Sequence, residues 1–361
     1  MAARRGARAP SLLPPLGRVR RRWRDRRALA RARALAPAIL AALPPLPGAP
    51  SPVGWRVRRA QWAESGMAVL AVGPPGRPAA AVLKVPATAA GAAGLRRQAA
   101  TLATLRADPR LAGWAGLLPE CLAAGEVGGR YYLAERALPG RPAAAALTDP
   151  AARAPFLAAA AAAIGELHRR TATTVVADGA LLDRWVARPL ALLRGALATA
   201  PREADYSRAL DRLAGELGDA LAGRRLCAAW THGDYWPGNL LVAPAGATLT
   251  GIVDWDRAAP ADPPLADLVY LVLTARQLAG RRELGEVALA LLDEAGWAAG
   301  ERALVDAARA ALPGESPPVR ALVLLVWLRH VADNLVQSAA YGRDRRWMAN
   351  VVELVLRRLA A

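Results

Sequence analysis

The run Thr231-His232-Gly233-Asp234-Tyr235-Trp236-Pro237-Gly238-Asn239-Leu240-Leu241-Val242 puts a carboxylate and an amide five residues apart on a tight Pro-Gly loop. After a short hairpin-like gap, Gly251-Ile252-Val253-Asp254-Trp255-Asp256 carries a strand into a further carboxylate, Asp254. Such a set has the parts that nucleotide phosphoryl transfer needs: a carboxylate that orients and deprotonates an attacking hydroxyl, and two oxygen ligands for magnesium. Asp234 suits the first role, Asn239 and Asp254 the second. One Asp and one Asn suffice because magnesium prefers oxygen, keeps several waters and also binds the ATP phosphates.

A positive charge for those phosphates comes from far upstream. Lys84 is the only lysine in a chain with 47 arginines, and it lies in the apolar, strand-like run Ala80-Ala81-Val82-Leu83-Lys84-Val85. A composition so rich in Ala, Arg, Gly and Pro implies a bias that turns lysine into arginine wherever the chemistry permits. Lysine is a compact point charge on a flexible stem, whereas arginine is a wide planar fork. A buried strand that must aim one charge at a phosphate needs the lysine.

Together, HGD-x-x-x-x-N, I-V-D-W-D and the upstream V-L-K-V resemble the aminoglycoside phosphotransferase family of kinase-like enzymes, which also contains kinases acting on choline, homoserine, thiamine and sugars. The resemblance covers about residues 52–361. It implies an α+β, protein-kinase-like two-lobed fold, with a small N-terminal β lobe and a large helical C-terminal lobe. It also implies ATP and Mg2+ as cofactors and a small-molecule hydroxyl as acceptor. In that frame Asp234 is the catalytic carboxylate, Asn239 and Asp254 are metal ligands, and Lys84 binds the nucleotide phosphates. His232 is then a loop-orienting histidine that packs below the site and bonds to backbone, and Asp256 belongs with the loop supports. Asp267, in Asp262-Pro263-Pro264-Leu265-Ala266-Asp267-Leu268, resembles the last acid of the family's G-D-P-x-x-D-L, where it would tie the catalytic loop in place. A plain acid at a helix N-terminus accounts for it too.

One position departs from the family. The helix after the lysine strand usually carries a glutamate that pairs with the lysine, and the matching residue here is Gln98. A neutral amide can accept a hydrogen bond from an ammonium but brings no charge to hold it. Either the weakening is tolerated, or another acid such as Glu64 or Glu120 takes over, or the chain is a degenerate, kinase-like nucleotide-binding scaffold. With the lysine, HGD, Asn and D-W-D all present, the first is preferred.

The elements that must position these groups can be laid out along the chain. Residues 1–51 form a basic Arg/Pro-rich extension, 52–133 the N-lobe, 134–140 the hinge and 141–361 the C-lobe. Strands are expected near 55–59, 67–72 and 79–85, and a helix near 94–106. The turn at 60–66 would cover the phosphates, with Ser65 and Gly66 as contacts, although Gly66 is its only glycine. Residues 131–140 read as a strand leaving into a turn. By resemblance this is the hinge, with adenine meeting the carbonyl of Glu135 and the amide of Ala137. Asp149-Pro150 should cap a helix running to about residue 170, in which His168 is structural. Helices follow near 180–200, interrupted at Pro189, and near 202–222. Cys227 is expected on a short strand as a small buried residue. Beyond Leu268 the chain reads as helical, with breaks near 296–300 and 313–318.

Composition bounds the remaining possibilities. The formal net charge is +18, and residues 1–50 hold twelve arginines against one acid, Asp25. A helix is expected over 18–43, Arg-rich first and Ala/Leu/Ile-rich after. It would pack on the N-lobe, rest on an anionic membrane surface, or act as a nucleic-acid arm. Nucleic acid ranks last, because Trp23 is the segment's one aromatic and no motif surrounds it. Two cysteines, Cys121 and Cys227, cannot build a disulfide framework and suit a reducing cytoplasm. No apolar run reaches the ~18 residues of a bilayer span. Residues 281–361 hold eleven arginines and ten acids. That near-neutrality speaks against a polycationic acceptor and for a neutral or anionic alcohol. Trp327, His330, Asn334, Gln337 and Tyr341 share helical spacing, and either core packing or a sugar-sized pocket explains them.

Overall fold

The computed structural model describes residues 16–46, 50–63, 66–198, 203–244, 248–338 and 340–360. The chain divides into two compact units: Met1–Arg96 with Glu120–Ala137, and Arg97–Pro119 with Leu138–Ala361.

The first unit is built on a five-stranded antiparallel sheet. Its members are β1 (Arg56–Ala63), β2 (Met67–Gly73), β3 (Ala81–Pro86), β4 (Cys121–Val127) and β5 (Arg130–Arg136), in the order β1-β2-β3-β5-β4. Helix α1 (Leu16–Ala41) precedes them, and α2 (Ala89–Ala107) follows β3, its residues up to Arg96 belonging to this unit and the rest, Gln98 included, to the second. Side chains alternate across a strand, so Ala68, Leu70 and Val72 share one face with Ala81, Leu83, Val85, Tyr132 and Ala134. That face is covered by α1, whose Ala32, Ala36, Ile39 and Leu40 recur at helical spacing and are buried in the same core. The β4–β5 hairpin turns through Gly128 and Gly129, both at positive φ (57° and 68°). A two-residue turn of this kind needs two left-handed positions, which glycine adopts without a Cβ penalty.

Several expectations change here. The first strand runs on to Ala63, so the connection to β2 is shorter than the 60–66 turn anticipated. Glu64 and Ser65 lie outside the described residues. The strand β4 was not foreseen, because only its pairing with β5 makes Cys121–Val127 extended. The apolar half of the basic segment is occupied by the sheet, which removes it as a lipid-facing surface. Among the described residues no helix is long and apolar enough to cross a membrane.

The second unit is mainly helical. Its two small sheets join β6 (Arg141–Pro142) to β9 (Leu240–Val242) and β10 (Leu249–Ile252), and β7 (Thr173–Val176) to β8 (Arg225–Thr231) and β11 (Ala259–Asp262). Around them pack α3 (Pro150–Thr171), α4 (Gly179–Leu182), α5 (Arg188–Leu197), α6 (Glu203–Leu221), α7 (Leu265–Gly280), α8 (Leu284–Leu291), α9 (Ala299–Ala310) and α10 (Val319–Gln337). Asp149 caps α3 by accepting the Ala151 N–H. The break expected at Pro189 is instead a π-helical turn over Asp183–Ala187 directly before it, a widened turn of the kind that accommodates a helix irregularity, and the helix continues through Pro189 as α5. Helices α7 and α10 are buried almost all round and form the middle of the core. Trp327 belongs to that core: it is fully enclosed, and its Nε1–H donates to the Val351 carbonyl at 2.7 Å.

Candidate active site

In the second unit, β8 delivers the chain into the loop that begins at His232. The loop hangs from Asp267 on the first turn of α7. One carboxylate oxygen accepts the Gly233 N–H at 2.9 Å; the other accepts the His232 N–H at 2.8 Å and lies 3.1 Å from His168 Nε2 on α3. All three partners converge on a carboxylate that is 2% exposed, and charge-assisted bonds of this type are the strong ones. Gly233 stands at φ 76°, and a Cβ there would lie 2.4 Å from the Arg257 carbonyl oxygen. Both the conformation and the contact require glycine.

His232 packs edge-on against Trp255 and Tyr235. Its Nδ1 accepts the Asp234 N–H at 3.2 Å, so Nε2 carries the proton and donates to the Val253 carbonyl at 2.9 Å. The ring therefore joins the loop to the strand that leads to Asp254. Tyr235 points into the core, donating to the Ala160 carbonyl at 2.8 Å.

Asp234 and Asn239 face each other across the Pro-Gly turn. Asn239 Nδ2 donates to the Asp234 carboxylate at 3.1 Å and to its backbone carbonyl at 3.0 Å. With the amide nitrogen committed there, the planar amide turns its oxygen the other way. The Asn239 carbonyl also accepts the Val253 N–H at 2.9 Å, holding the next residue, Asp254, beside the loop. Asp254 adopts φ 65°, a left-handed conformation that Asp tolerates better than most residues and that concentrates at functional sites. Burial raises the pKa of Asp234, and the nearby Asp254 adds to this, against opposing effects of Arg257, His232 and Asn239. A carboxylate held in this way is a better proton acceptor than an ordinary one. Two carboxylates that disfavour each other's charge beside an outward amide oxygen fit a small hard cation. Among the described residues no three His, Cys, Asp or Glu side chains form a ready-made cage. The smaller set suits magnesium, which takes few protein ligands and keeps waters and phosphates.

Three members of the wall next to Asp234, namely Arg257, Tyr270 and Asp333, had no part in the expected site. Arg257, directly after the D-W-D motif, bonds Asp333 at 3.0 Å, and the charges of Asp333, Asp234 and Asp256 all act on it. Asp256 lies in the turn immediately before Arg257. Tyr270 of α7 and His330 of α10 are 3.2 Å apart through Oη and Nδ1, and Asn334 Nδ2 donates to His330 Nε2 at 2.9 Å. Burial, reinforced by Arg257, lowers the pKa of His330 to about 4, so it is neutral at pH 7. Asp262 would be raised by burial alone, yet Arg329 and Arg184 hold it below the usual carboxylate value. Of the helical face anticipated from Trp327 to Tyr341, His330 and Asn334 take part in this wall and Gln337 is exposed. Proximity of the D-W-D motif was the one signal that pointed to Arg257.

In the first unit, Lys84 is 4% exposed and its Nζ lies 3.1 Å from Glu135 Oε2 on the adjacent strand. Glu120 is engaged by Arg136 at 2.6 Å. The hinge assignment needs correction. The Ala137 N–H donates to the Ala80 carbonyl at 3.0 Å and the Arg136 N–H to the Glu120 carbonyl. By strand alternation the backbone of Glu135 faces β3, opposite Val82, so neither its carbonyl nor the Ala137 amide is presented to a ligand edge. Gly66, at φ 76°, closes the β1–β2 connection, and its carbonyl accepts the Ala87 N–H. Gln98 is buried on α2.

Comparison with known proteins places this arrangement. A thermostable mutant of aminoglycoside phosphotransferase APH(4)-Ia, in its apo form, is 18% identical, with 84% of this chain and 95% of that chain covered and a TM-score of 0.55. The ternary complex of a thermostable mutant of the same enzyme with AMP-PNP and hygromycin B is 18% identical over 84% and 94%, with a TM-score of 0.54. A candidate aminoglycoside phosphotransferase from Ralstonia eutropha JMP134 is 16% identical over 91% and 95%, also at 0.54. At such identities the likeness establishes the kinase-like fold. No curated protein matches the sequence significantly. Residues 64–319 match the phosphotransferase enzyme family, APH, and with most of its length inside that match the chain belongs to this family.

Proposed function

We propose that the chain transfers the γ-phosphoryl group of ATP to a hydroxyl of a small molecule such as a sugar, an amino alcohol or a related metabolite. The observation that carries this reading is the Asp234–Asn239 bond on a loop suspended from Asp267, with Asp254 held beside it. Asp234 orients the acceptor hydroxyl. As the acceptor oxygen bonds to phosphorus and the bond to the ADP oxygen breaks, the hydroxyl proton passes to the Asp234 carboxylate. Asn239 and Asp254 would hold magnesium, which supplies charge neutralisation on the phosphates. Lys84 would bind the nucleotide phosphates as a point charge.

Charge bears on the choice of acceptor. Relatives of this fold include a complex with hygromycin B. Here the wall beside Asp234 pairs its own charges, Arg257 with Asp333 and Arg329 with Asp262. An ammonium-rich acceptor would be better served by unpaired carboxylates. A neutral polyol suits this wall better.

The test is ADP release over a panel of sugars, amino alcohols and aminoglycosides, with Asp234→Asn as the control. That variant should lose transfer while binding ATP within a few-fold of the wild type. Wild-type protein that binds ATP yet releases no ADP with any acceptor would favour a non-catalytic nucleotide-binding scaffold instead.

A further inference from the structure

A buried ammonium needs a carboxylate. Removing an unpaired charge from water costs several kcal/mol, whereas a well-placed ion pair offsets much of that cost. The helix residue that resembles the family's lysine partner is Gln98, which cannot provide a charge. Lys84 does have a carboxylate beside it: Nζ lies 3.1 Å from Glu135 Oε2, with both side chains almost wholly enclosed.

The register explains why that bond forms. Strands β3 and β5 are antiparallel neighbours, with Lys84 opposite Leu133 and Val82 opposite Glu135. Lys84 and Glu135 therefore share one face of the sheet as diagonal neighbours, a spacing that two long side chains can bridge. Leu83 and Ala134 point to the other face, into the core covered by α1. An ammonium has three donors, so holding one carboxylate is compatible with donating to a phosphate oxygen. Glu120, the other acid on this part of the sheet, already bonds Arg136.

We propose that Glu135 is the positioning residue for Lys84 in nucleotide binding, a carboxylate on a neighbouring strand doing what a helix glutamate does elsewhere in the family. This rests on the nucleotide reading given above. It assigns Glu135 a side-chain role in place of the backbone role expected at the hinge, and it supplies the charge that a neutral residue at position 98 cannot.

The chain's single lysine gives a direct probe. Protein labelled at lysine Cε shows one lysine resonance, that of Lys84, and titrating Mg–AMP-PNP against that signal yields a dissociation constant without any turnover. Glu135→Gln keeps the shape and removes the charge. The expected result is binding weakened about tenfold, with a cooperative melt retained. Unchanged affinity in a folded Glu135→Gln protein would overturn the proposal, since a merely structural pair would move the melt and not the nucleotide affinity. If the glutamine variant does not fold, Glu135→Asp decides: a loss of about threefold or more supports the proposal, and wild-type affinity overturns it. Wild-type protein whose lysine signal ignores the nucleotide would instead remove the nucleotide reading itself, and this inference with it.

Discussion

Replacing Asp267 by Asn should cost far more than its near-identical shape suggests. The carboxylate receives the Gly233 N–H on one oxygen, and the His232 N–H together with His168 on the other. An amide has one acceptor end. Whichever way the Asn side chain is turned, its NH2 group faces at least one backbone N–H. One charged hydrogen bond, typically about 1.5–3 kcal/mol, is lost and one buried donor is left unsatisfied at about 1–3 kcal/mol. Allowing for relaxation of the loop, a net destabilisation of about 3 kcal/mol is expected. For a cooperative unit of roughly 250 residues this lowers Tm by about 6–12 °C. Because the loop carries Asp234 and Asn239, kcat should fall together with stability, and below the melt the loss of kcat should persist. Scanning calorimetry of both proteins and steady-state ADP release at a temperature where both are folded are the measurements. A melt within about 2 °C of the wild type would mean that Asp267 does not hold the loop.

Other perturbations separate the roles of single residues. Lys84→Arg should be nearly as damaging to ATP turnover as Lys84→Ala, since the broad guanidinium cannot be seated where a buried strand side chain ends in a point charge; full activity in the arginine variant, at a matched melting temperature, refutes this. Asp254→Ala should erase the difference between ATP affinities measured by calorimetry with magnesium and with chelator, and an undiminished difference would exclude Asp254 as a ligand. His330 has its pKa lowered from 6.5 to about 4, so between these values the unfolded chain binds a proton that the native protein does not. Stability contributed by neutral His330 is complete above pH 6.5 and declines as pH falls toward 4. His330→Gln has no group that titrates at this position, and its urea-unfolding free energy should therefore fall less steeply over that window; equal slopes would refute the assignment.

The chemistry was more legible than the scaffolding. Asp234, Asn239 and Asp254 lie within one short stretch, and local turn chemistry brings them together, so their order and spacing in sequence carry most of the geometry. The helices over 150–170 and 203–221 were readable for the same reason, from capping and periodicity. What escaped depends on partners distant in sequence. Cys121–Val127 is a strand only because β5 lies beside it. The carboxylate that holds Lys84 is 51 positions away, and only the β3–β5 register reveals it. The backbone of Glu135 and Ala137 was expected to meet a ligand, but sheet pairing claims it first. Arg257 was passed over because its importance lies in Asp333, a partner 76 positions further along the chain.

The basic leader ends in a helix whose apolar side is one wall of the small unit's core. Ile39 and Leu40 are as enclosed there as Leu70 and Leu83 of the sheet itself. Deleting residues 1–51 would therefore not trim a tail. It would strip a hydrophobic sheet face to solvent, creating a sticky surface of the kind that drives self-association. The same packing gives the arginine-rich stretch a fixed seat: Arg26, Arg27, Arg31 and Arg33 ride on a helix that is anchored through its other side. Their charge is thus a permanent feature of one place on the protein's surface, with its field set by the fold rather than averaged over a swinging arm.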